Sequence, residues 1–139
     1  MSLRSLLLIL AGMLSLTAIS VGHHSVSSAF FLDQSKSIEG NIVEIVLRNP
    51  HASISIASRD NSGRVTRWTA DWLSLSDLGA AGITVSSLAV GDSVRLTGAP
   101  ARSADEHHLL LTEIVRASDG WKWAGVILKP AAPTIVVTR

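Results

Sequence analysis

The sequence contains no cysteine, which excludes disulfide bonds, thiol nucleophiles, thiolate metal sites and iron–sulfur clusters. It also has almost no excess of charge of either sign, because 12 Lys and Arg stand against 11 Asp and Glu. A nearly neutral protein offers no electrostatic footprint for nucleic acid or for an anionic membrane, so we expect neither as a partner. At 139 residues the chain is long enough for one ordinary domain and too short for a multidomain enzyme.

Near the start, residues 6–16 form an apolar run, LLLILAGMLSL, behind the basic Arg4. A membrane-spanning helix needs about 20 apolar residues. A run of about 7–15 behind a positive start, followed by small residues, is typical of a secretory signal peptide. Ser20 and Gly22 suit the small positions before a cleavage site. We therefore predict a signal peptide over residues 1–22.

Cleavage after Gly22 makes His23 the first mature residue, and cleavage after Val21 or nearer Ala18 is the alternative. Retention of the run as an anchor is a further alternative. In each case the folded part lies outside the cytoplasm, in the periplasm or secreted, and meets the membrane only through residues 1–22. An oxidising compartment is compatible with the absence of cysteine.

Beyond the leader, five stretches have the alternation or the β-branched composition of strands. They are residues 38–47, 52–58, 65–72, 93–98 and 107–117. The first changes its apolar phase near Gly40, which predicts a bulged and bent strand. Residues 73–82 lose the two-residue period and predict a short helix, capped by Ser74 or Ser76, with Leu75 and Leu78 facing inward.

Three strands, a short helix and two more strands follow the order of an OB-type fold, a five-stranded Greek-key barrel. We predict that barrel over residues 37–125, with a small β-sandwich as the alternative. An extended arm over residues 23–36 precedes it. Residues 126–139 form a C-terminal tail, which is either an edge strand around residues 135–137 or disordered.

Several short motifs occur in a fixed order: His23-His24-Ser25, the first strand centred on Gly40, Asn49-Pro50-His51, the Trp68 strand, and a Gly91-Asp92-x-Val94 turn. Together they resemble DUF6152, a family of exported bacterial proteins. The resemblance covers residues 23–125 and implies a signal peptide and a small OB-like barrel, with no established activity. Small or polar residues follow Asn-Pro-His here, where aromatic residues are common in the family.

The five histidines fall in three places: His23 and His24 at the predicted mature start, His51 between the first two strands, and His107 and His108 before the fifth strand. The two inter-strand loops are neighbours in an OB barrel. The arm is long enough to bring its own end there. We therefore predict that the histidines converge.

Imidazole suits Cu, Zn and Ni, and a free terminal amine beside His23 adds a nitrogen donor. Cleavage after Gly22 or after Val21 leaves an amine and an imidazole spaced to chelate Cu(II). The sequence thus predicts a non-enzymatic binding module with a copper or other divalent-metal site. In the alternative interpretation the five histidines are ordinary polar residues.

No spacing of nucleophile and base is recognisable, so we predict no catalytic residues. Trp121 and Trp123 alternate after the fifth strand and either stack a ligand or pack against the barrel. The alternative to a metal-binding module is an envelope domain that binds a peptide, glycan or partner protein, with the histidines incidental.

Overall fold

The computed structural model of the protein describes residues 26–103 and 105–125. The predicted signal peptide, His23, His24 and the tail over residues 126–139 lie outside these ranges. No helix within the described ranges is long and apolar enough to cross a membrane.

Two short helices and six strands make up the described part of the chain. In order they are α1 (Val26–Ala29), β1 (Lys36–Val46), β2 (Ser53–Arg59), β3 (Val65–Asp71), α2 (Leu75–Ala80), β4 (Ser93–Pro100), β5 (His108–Arg116) and β6 (Lys122–Ala124). The five predicted strands and the predicted helix are all present, with their ends shifted by a few residues.

The first five strands close into a barrel. The sheet runs in the order β3-β2-β1-β4-β5-β6, and an additional parallel pairing of β3 with β5 joins it into a ring. All other neighbouring strands are antiparallel. With α2 between β3 and β4, this is the Greek-key barrel of the OB fold, as the order of elements predicted.

Strand β1 is bent, and it pairs with β4 through residues 36–41 and with β2 through residues 41–46. Its register shifts between Ile42 and Glu44, so the predicted bulge exists but follows Gly40 by a few residues. Gly40 itself packs against the backbone carbonyl of Ala57, where a Cβ would clash. Glycine therefore permits the close approach of two strands at this position.

The barrel interior is filled by aliphatic side chains from every other position of the strands. The largest fully buried ones are Ile42, Ile54, Ile56, Leu96, Leu109 and Ile114. Trp72 and Leu78 close one end of this core. The inward face predicted for β3 is confirmed, since Ala70 and Trp72 are buried and Trp68 packs against the core.

The sequence predicts an extended arm before β1, but the described part of the arm is not extended throughout. It begins with one helical turn, α1, and Phe30 then forms an isolated bridge with Ala101. Phe30 is buried in a small cluster with Ala99 and Ala101 outside the barrel wall. Burial of this ring fixes the arm, and a local sequence pattern does not reveal such a long-range contact.

Two further expectations need correction. Leu75 does not face inward, because it is the first residue of a helix of only six residues and is 40% exposed, whereas Leu78 is buried. The sequence predicts no strand directly after β5, but Lys122–Ala124 forms β6 by pairing antiparallel with β5. It lies outside the closed barrel as a short added edge.

Candidate functional site

A turn between β1 and β2 carries His51 to the end of β3. The N–H of Ala52 donates to the carbonyl of Leu73 at 2.9 Å, and the N–H of Trp72 donates to the carbonyl of Ala52 at 2.7 Å. These two bonds extend the β2–β3 ladder beyond its last regular pair, Ser53 with Asp71. The exposed imidazole of His51 is thus attached to a rigid part of the barrel.

The Asn49-Pro50-His51 motif also fastens this turn to α2. The Asn49 Oδ1 atom accepts a hydrogen bond of 3.2 Å from the N–H of Leu75, the first residue of α2. Ser74 caps the same helix by accepting from the N–H of Asp77. The first N–H groups of a helix need such acceptors, so Asn49 has a structural role beside His51.

Beside His51 lies a cavity of about 280 Å³, which we call the His51 cavity. Its polar side chains are those of His51, Asp71, Ser74 and Asp77. The rest of its side-chain wall is apolar and comprises Val26, Trp72, Leu73, Leu110, Leu111 and Trp123. An imidazole and two carboxylates therefore face a space that is otherwise lined by hydrocarbon and indole.

Both ends of the described chain border this cavity, since Val26 and Gly125 contribute to its wall. His24 and His23 precede Val26 by two and three positions. Chain geometry alone limits their Cα atoms to about 7 and 10 Å from that of Val26. The predicted return of the arm toward His51 is therefore consistent with the position of Val26.

Asp71 links the His51 cavity to His108. The Nε2 atom of His108 is buried and lies 3.1 Å from Oδ1 of Asp71, with which it forms an ion pair. Hydrogen bonding to Asp71 and the attraction of its charge raise the pKa of His108, although burial opposes the rise. The ring of Phe30 meets the His108 ring edge-on at 5.5 Å, which fixes the imidazole from the other side.

His107 does not join this group. Its ring packs edge-on against Trp68, with the ring centroids 4.9 Å apart, and Lys36 lies over the same indole. Consecutive residues at the start of a strand point to opposite faces of the sheet. The His107 side chain therefore lies on the face of Trp68, and the His108 side chain lies on the face of Phe30. Asp71 thus borders one cavity with His51 and pairs with His108, whereas His107 packs against Trp68.

Within the described residues, no group of three or more His, Asp or Glu side chains is placed to hold a metal ion. His51 and Asp71 border one cavity, but they and His108 do not make a complete ligand set. The other two predicted ligands, His23 and His24, lie outside the described residues.

The two tryptophans proposed to stack a ligand have different surroundings. Trp123 packs edge-on against Trp72, with a centroid distance of 5.4 Å, and it borders the His51 cavity. Trp121 packs against the core and lies under the guanidinium of Arg116. Of the pair, only Trp123 is among the residues that line this cavity.

Sequence reasoning missed Asp71 and Asp77 as site residues. Asp71 belongs to a regular alternation in β3 and therefore resembles any solvent-facing strand residue. Asp77 resembles an ordinary first-turn helix carboxylate, and it is in fact hydrogen-bonded to the Ser74 cap. Only the parallel β3–β5 pairing and the docking of α2 bring these carboxylates to the histidines.

Comparison with known proteins gives a family and a distant structural neighbour. The model of a family of unknown function, DUF6152, matches residues 11–110. No curated protein matches the chain. Among solved structures, the mitochondrial single-stranded DNA binding protein Rim1 from S. cerevisiae is similar, with 17% identity and a TM-score of 0.47 over 60% of this chain and 93% of that one.

Proposed function

The chain belongs to the DUF6152 family, whose function is unknown, and from that premise we propose a function based on the His51 cavity. We propose that the protein is an exported, non-enzymatic binding module that holds Cu(II) or another divalent metal ion. The ligands would be His51 and Asp71 from the barrel and His23 and His24 from the segment just before α1.

One observation carries this proposal: Val26, His51 and Asp71 border the same cavity. Three separate parts of the chain meet there, namely the segment that follows His23 and His24, the β1–β2 turn and the end of β3. Val26 follows His23 and His24 closely in the sequence, and its position beside His51 supports a common role for the three histidines. The cavity is also rigid on the barrel side, because the turn is hydrogen-bonded to β3.

The donor set fits copper in type. Imidazole nitrogen suits Cu(II), and a carboxylate adds negative charge to the site. Because the described residues supply fewer than three grouped ligands, binding requires the N-terminal histidines, together with a terminal amine if cleavage exposes one. His107 lies outside this set, since its ring packs against Trp68.

His108 has a supporting role in this proposal, which differs from its predicted role as a ligand. Its Nε2 atom is buried against Oδ1 of Asp71 and therefore faces the carboxylate. Residues that hydrogen-bond to a ligating carboxylate orient it, and their loss commonly weakens metal binding about 10–100-fold. We place His108 as the residue that positions Asp71 at the cavity wall.

Export is part of the proposal and is supported by the sequence of residues 1–22. A short apolar run behind a basic start is the pattern of a secretory signal, and its removal would place His23 or Gly22 at the mature N-terminus. Mass spectrometry of the protein recovered from the periplasm or medium would identify that terminus. A mature chain that begins after His24 would contradict the proposed ligand set.

Isothermal titration of the exported protein with Cu(II) tests the function itself. We expect binding tighter than about 1 μM, or about −8.2 kcal/mol. The paired change His23→Ala with His24→Ala should abolish this binding, and His51→Ala should weaken it by about tenfold or more.

His107→Ala is the matched control, because it removes an imidazole of the same barrel that packs against Trp68, and it should leave the copper affinity unchanged. Binding weaker than micromolar, or equal affinity in the wild type and the His23, His24 double variant, would overturn the proposal.

A further inference from the structure

A second cavity, of about 360 Å³, lies between α2, the end of β1 and residues 83–88, and we call it the α2 groove. It is lined by Ile45, Leu47, Trp72, Leu75, Leu78, Gly79, Ile83, Thr84, Val85, Ser87 and Leu88. None of these side chains is charged, and only Thr84 and Ser87 carry a hydroxyl. Trp72 is the one residue that lines both this groove and the His51 cavity.

The rim of the α2 groove is unusually exposed for apolar residues. Leu47, Leu75 and Val85 are 41%, 40% and 81% exposed. Single exposed hydrophobic residues need no explanation, but a contiguous apolar patch around a cavity marks a surface that binds something. The groove is independent of the proposed metal site, apart from the indole that they share.

We propose that the α2 groove is filled by the C-terminal segment of the same chain, residues 126–139, with the Ile-Val-Val triplet of residues 135–137 seated in it. The segment starts close to the groove, because Gly125 borders the His51 cavity, which shares Trp72 with the α2 groove. From Gly125 to Ile135 the chain can reach about 33 Å. A domain of about 100 residues has a radius of gyration of about 13 Å, so this reach is ample.

The chemistry of the segment complements that of the groove. It reads VILKPAAPTIVVTR and contains no acidic residue. Its β-branched triplet matches an uncharged apolar lining, while its backbone brings hydrogen-bonding carbonyl groups. The triplet itself carries no charge that the groove would have to bury.

The natural absence of cysteine makes disulfide trapping a clean test. In the full-length chain, Val85→Cys at the groove rim is combined with Thr134→Cys, which lies beside the triplet and leaves it intact. The matched control combines Thr134→Cys with Val65→Cys, since Val65 is another exposed valine, at the start of β3, and does not line the groove. Both proteins are oxidised mildly, in dilute solution with a chelator present.

Seating of the segment predicts that the Val85→Cys pair closes an intramolecular disulfide at least about tenfold faster than the control pair, because docking raises the effective concentration of the two thiols. Equal rates for the two pairs would overturn the proposal. A disulfide between two molecules in place of the intramolecular one would also overturn it, and would assign the groove to a second copy of the chain.

Amide hydrogen exchange gives a second readout that needs no cysteine. The paired change Ile135→Asp with Val137→Asp should speed the exchange of residues 83–88 severalfold, because charged residues cannot occupy the groove. Thr134→Asp is the control, with the same kind of charge outside the triplet, and it should change the exchange of residues 83–88 much less. Unaltered exchange in the Ile135, Val137 variant would contradict the seating. Since these experiments are performed without metal, their failure would leave the proposed copper site standing.

Discussion

The His51 cavity and the α2 groove both have Trp72 in their walls and differ in the chemical groups that line them. One presents an imidazole and two carboxylates, and the other presents only aliphatic side chains, an indole and two hydroxyls. They are neighbours because they share Trp72, while the preceding residue, Asp71, lines the His51 cavity but not the groove. Two cavities of different chemistry therefore meet at one buried tryptophan.

The largest loss of stability is expected from a change at Trp72, the residue that lines both cavities. Trp72→Ala removes a side chain that is only 4% exposed and should lower the free energy of unfolding by about 3–5 kcal/mol. It would also merge the two cavities, so copper affinity should fall as well. Urea denaturation measures the first effect. A decrease in the free energy of unfolding below about 1 kcal/mol would show that the indole is not packed in the core between the two cavities.

A smaller loss is expected within the α2 groove. Leu78→Ala removes a buried leucine and should cost about 2–5 kcal/mol. Leu75→Ala, at the exposed rim of the same helix, should cost well under half of that value. Denaturation of both variants under one condition tests the difference. Equal losses of stability in the two variants would mean that Leu75 is packed as tightly as Leu78, which would contradict the exposure of Leu75 at the rim.

The smallest effect concerns the pH dependence of the metal-free protein. The pKa of His108 is raised by hydrogen bonding and charge attraction to Asp71. The protonated imidazole therefore stabilises the fold fully below its ordinary pKa of about 6.5, and this contribution is lost as the pH rises through the raised value. For a partly exposed ion pair we expect at most about 1 kcal/mol.

Thermal unfolding of the wild type and His108→Gln, each at pH 5.5 and pH 8.5, measures this contribution. The wild type should lose more stability than the variant between the two values. His107→Gln is the matched control, because it removes the neighbouring imidazole and leaves the His108–Asp71 pair in place. The same pH dependence in the wild type and in His108→Gln would show that the contact with Asp71 does not stabilise the barrel.

The sequence predicted the barrel well because the barrel follows from local patterns. Strict alternation of apolar and polar residues over residues 52–58 and 65–72 specifies β2 and β3. Ser74 and Gly82 mark the beginning and the end of the segment that contains α2. The structure of the arm was not predictable in this way. Its helical turn depends on Phe30, which is buried against Ala99 and Ala101 far along the chain.

The candidate site was predicted only in part. That the loops of His51 and His108 are neighbours followed from the fold. The roles of Asp71 and Asp77 did not, since nothing local distinguishes them from solvent-facing carboxylates. The divergence of His107 from His108 could have been foreseen, because adjacent strand residues face opposite ways.

The most direct test of the metal site is to count the imidazoles bound to Cu(II) in the exported protein by pulsed electron paramagnetic resonance. The account predicts at least two coordinated imidazoles, one of which is lost in His51→Ala and none in His107→Ala. An imidazole count that is the same in the wild type and in His51→Ala would contradict it, because copper would then be held without the cavity.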